Sequence, residues 1–166
     1  MNAAWTVAHH YEMYLRLLVS AFLGFLIGWD RETKSKPAGL KTYMYVCVAS
    51  TLITLISIYS VEKFAAGQDR TMMDPMRLAA QIVAGLGFLG AGVILKDGLR
   101  VKGLTSAAMI LFVGGVGIGI GAGFYGIVAF SVVVSMAMAK IGNVVERRRL
   151  LRIAARDREA SDTPSA

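Results

Sequence analysis

The sequence has few charged residues for its size. Only 17% of its 166 residues are Asp, Glu, Lys or Arg, whereas 55% are hydrophobic; soluble proteins have about 25% charged residues. With so few charges, a soluble protein could not cover its own surface with polar groups. Three long segments carry no charge at all, namely 42–61, 78–95 and 104–139. The composition therefore argues against an ordinary water-soluble protein and indicates an integral membrane protein.

Cysteine and histidine are scarce as well. The single cysteine, Cys47, lies in an apolar segment, so an intrachain disulfide and a CxxC metal site are excluded. Two adjacent histidines, His9 and His10, have no spaced third ligand and are weak evidence for a metal site. The sequence shows no Ser–His–Asp arrangement and no nucleophile–base pair. No enzymatic activity and no cofactor are therefore expected.

Segment lengths predict five membrane spans. About 20 apolar residues cross a hydrocarbon core of ~30 Å as a helix, and the first three spans are predicted at 14–29, 42–61 and 78–95. The uncharged segment 104–139 would be about 54 Å long as one helix, which is too long for one crossing. It is predicted to form two helices joined by a turn at Gly121-Ala122-Gly123, because glycine accepts the backbone angles of a sharp turn. The predicted fold is an all-α, five-span transmembrane bundle.

Basic residues predict the orientation of this bundle. In the five-span arrangement, fourteen of the 18 Lys and Arg residues fall on one side, which is the cytoplasmic side by the positive-inside rule. The N-terminus is then outside and the C-terminus inside. We divide the chain into an extracytoplasmic segment (1–13), a transmembrane domain (14–139) and a basic cytoplasmic tail (140–166) in which 143–158 can form a helix. No Lys or Arg precedes Arg16, so the first helix lacks the basic start of a signal peptide and is expected to be retained.

The segment from Gly85 to Gly90, GLGFLG, matches the G-x-G-x-x-G pattern of dinucleotide-binding loops. Such a loop requires a strand, a glycine turn and a helix N-terminus, followed about 20 residues later by an acidic residue. Here the motif lies inside an uncharged span, and no Asp or Glu occurs between Asp97 and Glu146. We therefore interpret these glycines as helix-packing residues.

Glycines recur at helical spacings in three of the predicted spans. In lipid, small residues let helix backbones approach closely, and this packing drives helix association. The spacing predicts a tightly packed bundle and a candidate homodimer contact. The glycines concerned are Gly24, Gly28, Gly85, Gly87, Gly90, Gly92, Gly115, Gly119 and Gly123.

A few polar residues lie within or beside the spans. Asp74 and Pro75 have the pattern of a helix N-cap and a first helical residue. Gln81 is an amide about one turn inside an apolar span, where burial without a partner would cost about 1–3 kcal/mol. We interpret Gln81 as the marker of a polar interior. Arg16 is expected either to extend toward the lipid headgroups or to pair with Asp74.

Charges also close the first span, at Asp30, Arg31 and Glu32. Two interpretations are open: a solvated helix end, or ion pairs with Lys41 or Lys96 that shape a polar pocket. Hydroxyl groups could either line such a pocket or bond to their own helix. They belong to Thr42, Thr51, Thr54, Ser57, Thr105 and Ser106.

Four segments have a distinctive order and spacing: FLGFLIGWDRE (22–32), KPAGLKTYMYV (36–46), DPMRLAAQIVAGLGFLGAGVILKDG (74–98) and VKGLTSAA (101–108). Together they resemble the MgtC/SapB family of small bacterial inner-membrane proteins, over about residues 15–139. By position, the family's polar signature falls on Asp30, Arg31, Glu32, Lys41, Thr42, Asp74, Arg77, Gln81 and Thr105. The chain has Asp30 where the family usually has Glu, and Lys41-Thr42-Tyr43 where Arg-Thr-His is common.

The resemblance implies a multi-span membrane protein with a cytoplasmic C-terminus. Members of the family are linked to growth in low magnesium, acid tolerance and survival inside macrophages, and some are held to restrain the F-type ATP synthase rather than to carry magnesium. Longer members continue into a soluble C-terminal domain. The resemblance does not imply that roles tied to that domain apply to the residues present here.

Two functions are open at this point. The first is a non-enzymatic role in magnesium-limitation or acid-stress homeostasis through membrane protein partners, such as the F-type ATP synthase. The second is a small Mg²⁺ or proton transporter or channel, in which a homo-oligomer lines a path that includes Gln81, Arg77 and Asp30. The lipid bilayer is the expected surrounding in both. Nucleic acid is not an expected partner, because the inside-positive pattern explains the net charge of +7.

Overall fold

The computed structural model describes residues 3–32, 38–65, 74 and 76–161. Within these ranges the chain forms five helices, which are α1 (Ala3–Glu32), α2 (Leu40–Ala65), α3 (Arg77–Val93), α4 (Leu104–Gly121) and α5 (Tyr125–Ser161). The chain divides into two compact units, Met1–Val128 and Ala129–Ala166. All the packing described below lies within the first unit.

Four of these helices are long and apolar enough to cross a membrane, over Tyr11–Trp29, Leu40–Val61, Leu104–Gly121 and Tyr125–Val145. The helical fold and these four spans are as predicted. Helix α3 differs from the prediction because it has 17 residues, a length of about 26 Å, whereas the hydrocarbon core is ~30 Å thick. Helix α1 begins at Ala3 rather than near Tyr14, so the predicted N-terminal segment continues directly into the first span.

The predicted turn at Gly121-Ala122-Gly123 is confirmed. Helix α4 ends at Gly121, and Gly123 has a left-handed φ of 83°. The Phe124 N–H donates to the Gly119 carbonyl at 2.8 Å, and the Gly123 N–H donates to the Ile120 carbonyl at 3.0 Å. This is the Schellman arrangement, which satisfies the last carbonyls of a helix and favours glycine at the left-handed position. Gly123 is therefore a helix cap and not part of a packing stripe along α4.

Helix α5 begins directly after this turn and runs without a break from Tyr125 to Ser161. Its apolar part extends to Val145. The basic helix predicted over 143–158 is thus the continuation of the last span.

A short β hairpin joins α3 to α4. Its strands, β1 (Leu95–Asp97) and β2 (Arg100–Lys102), are antiparallel, with Lys96 opposite Val101. The Lys102 ammonium lies 2.8 Å from the Asp97 carboxylate. The chain then enters α4 through Gly103, whose φ is 90° and where a Cβ would collide with the Val93 carbonyl. Only glycine fits there without strain.

Close helix contacts form around α2. Helix α1 packs along one side of α2, and helix α4 packs along another. A Cβ at Gly24 would lie 2.9 Å from Met44 Cα, and a Cβ at Gly28 would lie 2.9 Å from Leu40 Cα. Because real Cβ atoms are not found at such distances, these two glycines set the separation of α1 and α2. This face is covered within the chain, so it is not available as the homodimer contact suggested for it.

On α4, the glycines that contact α2 most closely are not the predicted Gly115 and Gly119. At Gly117 a Cβ would collide with the Cys47 carbonyl and would lie 2.8 Å from Ser50 Cβ, and at Gly121 it would lie 2.7 Å from Thr54 Cβ. By contrast, a Cβ at Gly115 would meet no atom within 4 Å. The face at 117 and 121, rather than the stripe at 115 and 119, therefore packs against α2.

The remaining candidate glycines fall into two groups. A Cβ at Gly90 would lie 3.6 Å from Ala107 Cβ, and at Gly119 it would collide with Val128. At Gly85, Gly87 and Gly92 it would meet no atom within 4 Å. Most of the glycine surface of α3 is thus left open within this chain.

The contrast between Gly117 and Gly115 gives a matched test of packing. Gly117→Ala should lower the free energy of unfolding by about 1–3 kcal/mol, because the added methyl group overpacks against the Cys47 carbonyl. Gly115→Ala should leave it unchanged or raise it slightly, since the methyl group enters open space. Unfolding in mixed micelles with increasing denaturing detergent measures both. Equal stability of the two variants would contradict the described α2–α4 contact.

Candidate functional site

Buried and half-buried polar residues lie between α1, α2 and α4. They form one cluster near the α4–α5 turn, which we term the turn end, and a second cluster near the β hairpin, which we term the hairpin end. Buried hydroxyl groups lie between the two. The buried polar set comprises Ser20, Arg31, Ser50, Thr51, Thr54, Ser57 and Ser106.

Arg16 is the centre of the turn end. Its Nη1 donates to the Gly121 carbonyl at 2.6 Å, and its Nη2 donates to Glu12 Oε1 at 2.6 Å. The guanidinium carbon lies 5.7 Å from the centroid of the Tyr125 ring, a cation–π distance. The Arg16 side chain is only 14% exposed. It therefore points into the protein and pairs with Glu12, so that neither extension to the headgroups nor pairing with Asp74 describes it.

The end of α4 provides the site for this arginine. The last carbonyls of a helix have no partner in their own helix and carry partial negative charge, so a cation is favourable there. A Cβ at Gly123 would lie 3.4 Å from Arg16 Nη2, and the missing side chain leaves room for the guanidinium. Arg16 thus ties α1 to the α4–α5 turn.

The hydroxyl groups between the two ends bond to backbone carbonyls. The Thr51 hydroxyl lies 3.0 Å from the Cys47 carbonyl and 2.9 Å from the Gly117 carbonyl. The Thr54 hydroxyl donates to the Ser50 carbonyl at 2.8 Å. Of the two sequence-based alternatives for these residues, bonding to the own helix is observed for both. The single hydroxyl hydrogen of Thr51 is shared between the Cys47 carbonyl of its own helix and the Gly117 carbonyl of α4. Their donors are therefore used in holding helices together.

The hairpin end contains Arg31, Tyr43 and Ser106. Their exposed fractions are 7%, 0% and 2%. Arg31 is close enough to act electrostatically on the Tyr43 hydroxyl, and the Ser106 side chain lies beside that hydroxyl. No group in the described ranges has hydrogen-bonding geometry to that hydroxyl, however. A buried hydroxyl without a well-aligned partner is unfavourable, so the Tyr43 hydroxyl is the least satisfied group of this cluster.

The predicted signature residues do not form one cluster. Arg31 is buried at the hairpin end, where Lys41, Thr42 and Thr105 are exposed. The side chains of Asp30 and Glu32 lie outside the described residues, so the ion pairs suggested for them stay a prediction. Asp74, Arg77 and Gln81 are exposed at the start of α3. That start lies toward the turn end, because Leu86 packs against Gly114 and Gly90 packs against Ala107.

Asp74 bonds to the backbone just before α3 but does not occupy the N-cap position predicted for it. Its Oδ1 accepts a hydrogen bond from the Met76 N–H at 2.8 Å, and its carbonyl accepts one from the Arg77 N–H at 3.2 Å. The residue in the N-cap position is Met76, however, and its own side chain makes no capping bond. The role predicted for Pro75 lies outside the described residues.

Gln81 does not mark a polar interior. Its side chain is exposed on α3 and borders a groove of about 480 Å³ between α2 and α3. The other residues that line this groove are mainly apolar and include Tyr45, Ala49, Leu78 and Leu89. The dinucleotide-like segment 85–90 lies within the helical turns of α3, so it does not form the strand–turn–helix that such a loop needs.

The structure also adds residues that the sequence did not single out. Glu12 could have been found from its spacing to Arg16, since residues four apart share a helix face, if α1 had been predicted to start earlier. Tyr43 and Tyr125 carried no comparable signal. Among the described residues, no group of three or more His, Cys, Asp or Glu side chains is arranged to hold a metal ion.

Comparison with known proteins agrees with the resemblance found in the sequence. The sequence model of the MgtC family matches residues 17–148. Protein SapB of Bacillus subtilis is 46% identical over 115 residues, which are 69% of this chain and 49% of SapB. Protein MgtC of Salmonella typhimurium is 35% identical over 142 residues, 85% of this chain and 57% of MgtC.

A further relative has a name that states a function. The putative magnesium transporter YhiD of Escherichia coli is 34% identical over 130 residues, 78% of this chain and 60% of YhiD. The chain thus spans only about half to three fifths of the length of these curated relatives, from 49% to 60%. No solved structure matches the chain.

The contacts of Arg16 predict a large effect of its removal. Arg16→Ala should lower the free energy of unfolding by about 1.5–3 kcal/mol, because two charge-assisted hydrogen bonds are lost. Arg100→Ala, in the exposed hairpin, should change it by less than about 0.5 kcal/mol. Both are measured by detergent unfolding. A similar small effect of the two substitutions would contradict the described anchor.

Removal of the Tyr43 hydroxyl is predicted to stabilise the protein, in contrast to the removal of Arg16. Tyr43→Phe should raise the free energy of unfolding by up to about 1 kcal/mol, because it removes a buried donor that has no partner in good hydrogen-bonding geometry and keeps the ring. Thr51→Val, which removes a bonded hydroxyl of the same bundle, should lower it. Thermal unfolding in detergent compares the two. If Tyr43→Phe is destabilising, the hydroxyl has a partner.

Proposed function

Because the chain belongs to the MgtC family, we propose that it is a non-enzymatic membrane protein that acts in magnesium-limitation or acid-stress homeostasis by binding other membrane proteins. The magnesium link is supported by the names of its relatives, one of which is a putative magnesium transporter. The role of partners is supported by the family resemblance. The orientation that we propose, with the hairpin end toward the cytoplasm, follows from the distribution of Lys and Arg.

The closed packing of α2 against α4 is the observation on which this proposal depends. A permeating ion needs a path lined by groups that can replace its water. Between these helices the hydroxyls of Thr51 and Thr54 already bond to carbonyls. Gly117 also brings the two backbones into direct contact. The described interface between α2 and α4 therefore supports a binding role better than a conducting one.

The exposed signature residues at the hairpin end support contact with a partner. Lys41, Thr42 and Thr105 are all exposed, so the described fold does not need their side chains for packing. In the proposed orientation they face the cytoplasmic membrane boundary. A basic residue with two hydroxyls there could bind an acidic or polar surface of a membrane complex, such as the F-type ATP synthase named by the resemblance.

A second candidate function is a Mg²⁺ or proton transporter formed by several copies. It is supported by the name of the YhiD relative and by the exposure of Arg77 and Gln81 on the same helix. A path of this kind would run between copies rather than through one. It would need Gln81, whereas the partner-binding role would not.

Flux and growth measurements separate the two functions. The purified chain in liposomes with a Mg²⁺ or pH indicator should show no flux above protein-free vesicles. In a strain that lacks its own family member, the chain should restore growth at low magnesium. Lys41→Glu should abolish that growth by reversing the charge of the contact, while Arg100→Glu, also exposed, should retain it at equal membrane abundance. Mg²⁺ or proton flux that is lost in Gln81→Ala would overturn the proposal in favour of transport.

A further inference from the structure

One face of α3 is left uncovered in the first compact unit. Helix α3 packs toward α4 and α2 through the four residues Ala79, Ile82, Leu86 and Gly90. Gln81, Gly85, Phe88 and Gly92 are spaced four, three and four residues apart, so they form a second stripe on a different side of the helix. We term this set the Gln81 stripe. Two of its residues, Gln81 and Gly85, line the groove of about 480 Å³ between α2 and α3.

In the Gln81 stripe, the side chain of Phe88 protrudes between two glycines, Gly85 and Gly92, that leave open space. The Phe88 side chain is 81% exposed. A Cβ at Gly85 or at Gly92, about one turn before and one turn after Phe88, would meet no atom within 4 Å. A large exposed ring flanked by open glycine surface can interlock with a like surface, because small residues let helices approach and aromatic rings fill the space between them.

The amide of Gln81 restricts what can cover this face. It is exposed about one turn inside an apolar helix, where lipid acyl chains offer neither donors nor acceptors. A glutamine side chain contains both a carbonyl acceptor and N–H donors. It is therefore complementary to a second glutamine at the same position.

We propose that the Gln81 stripe is the interface of a homodimer. Two copies with the same orientation in a bilayer are related by a twofold axis along the membrane normal, so their α3 helices run parallel and residue 81 of each lies at the same depth. The two Gln81 amides then exchange hydrogen bonds across the axis. Phe88 of each copy packs over the glycine gaps of the other.

Other surfaces of the first unit fit a second copy less well. The Gly24 and Gly28 face lies against α2, and the Gly117 and Gly121 face also lies against α2. The stripe combines open glycine surface with a self-complementary polar group inside an apolar helix. An acyl chain could fill the groove but would leave the amide without a hydrogen bond.

Dimerisation of the full chain in liposomes tests the proposal. Fluorophore-labelled protein is diluted over a series of lipid-to-protein ratios, and the dimer fraction is read from single-molecule photobleaching steps. Gly85→Leu and Gln81→Leu should each weaken dimerisation about tenfold, consistent with one to two interhelical contacts in lipid. Gly115→Leu is the matched control, since Gly115 also has no atom within 4 Å of an added Cβ, and it should have no effect. Gln81→Asn should retain most of the dimer because it keeps an amide.

Cross-linking in native membranes gives a second measurement that does not depend on purification. Phe88→Cys should form an intermolecular disulfide under mild oxidation, while Leu18→Cys, at a residue 68% exposed on α1, should not. The native Cys47 is buried and is not expected to form an intermolecular disulfide.

Several results would overturn the proposal. They are a monomer at every dilution, a dimer that Gly85→Leu and Gln81→Leu leave intact, or an equal loss in Gly115→Leu. A monomer that retains phospholipid in native mass spectrometry would assign the groove to lipid, and a stoichiometric complex with another membrane protein at this face would assign it to that partner. The dimer assay contains only this chain and lipid, so its outcome is independent of the growth test of the proposed function.

Discussion

The structure depends on direct contact between the backbones of α2 and α4. Within a bilayer, apolar side chains gain little by leaving lipid for the protein interior, so helices are held by close packing and interhelical hydrogen bonds. Gly117 provides both. Its missing side chain lets α4 reach the backbone of α2 at Cys47, and its carbonyl lies 2.9 Å from the Thr51 hydroxyl. The position of α1 against the other side of α2, set by Gly24 and Gly28, extends the same kind of contact.

The distribution of polar groups follows from this packing. Hydroxyl groups are short and can bond to a carbonyl of the neighbouring or the same helix, so they are tolerated in the middle of the bundle. Charged groups occur at its ends, where Arg16 reaches the last carbonyls of α4 and Arg31 lies beside Tyr43. This arrangement leaves no described charge in the middle of the α1–α2–α4 interface. The exposed residues of the predicted polar signature lie on α3 and at the hairpin end, which is where contacts with other molecules are proposed.

Much of the fold could be predicted from the sequence, because the governing pattern is local. Uncharged segments of sufficient length specify helices in lipid, and the glycines at 121 and 123 specify the turn that divides the longest of them. The start of α1 and the length of α3 were harder to predict from the sequence. Residues 3–10 precede the apolar span that begins at Tyr11, although the helix continues through them. The hairpin was missed because strand residues 95–97 and 100–102 are too few to form a recognisable pattern.

The sequence by itself determined that this is a helical membrane protein and which family it belongs to. It could not determine which face of each helix is covered. Gly115 and Gly117 are alike in the sequence, yet only Gly117 contacts α2. Gln81 similarly was expected inside and is exposed. Only the tertiary structure decided these points, because in lipid both faces of a helix can be equally apolar, and rotation about the helix axis is set by contacts with neighbouring helices rather than by hydropathy.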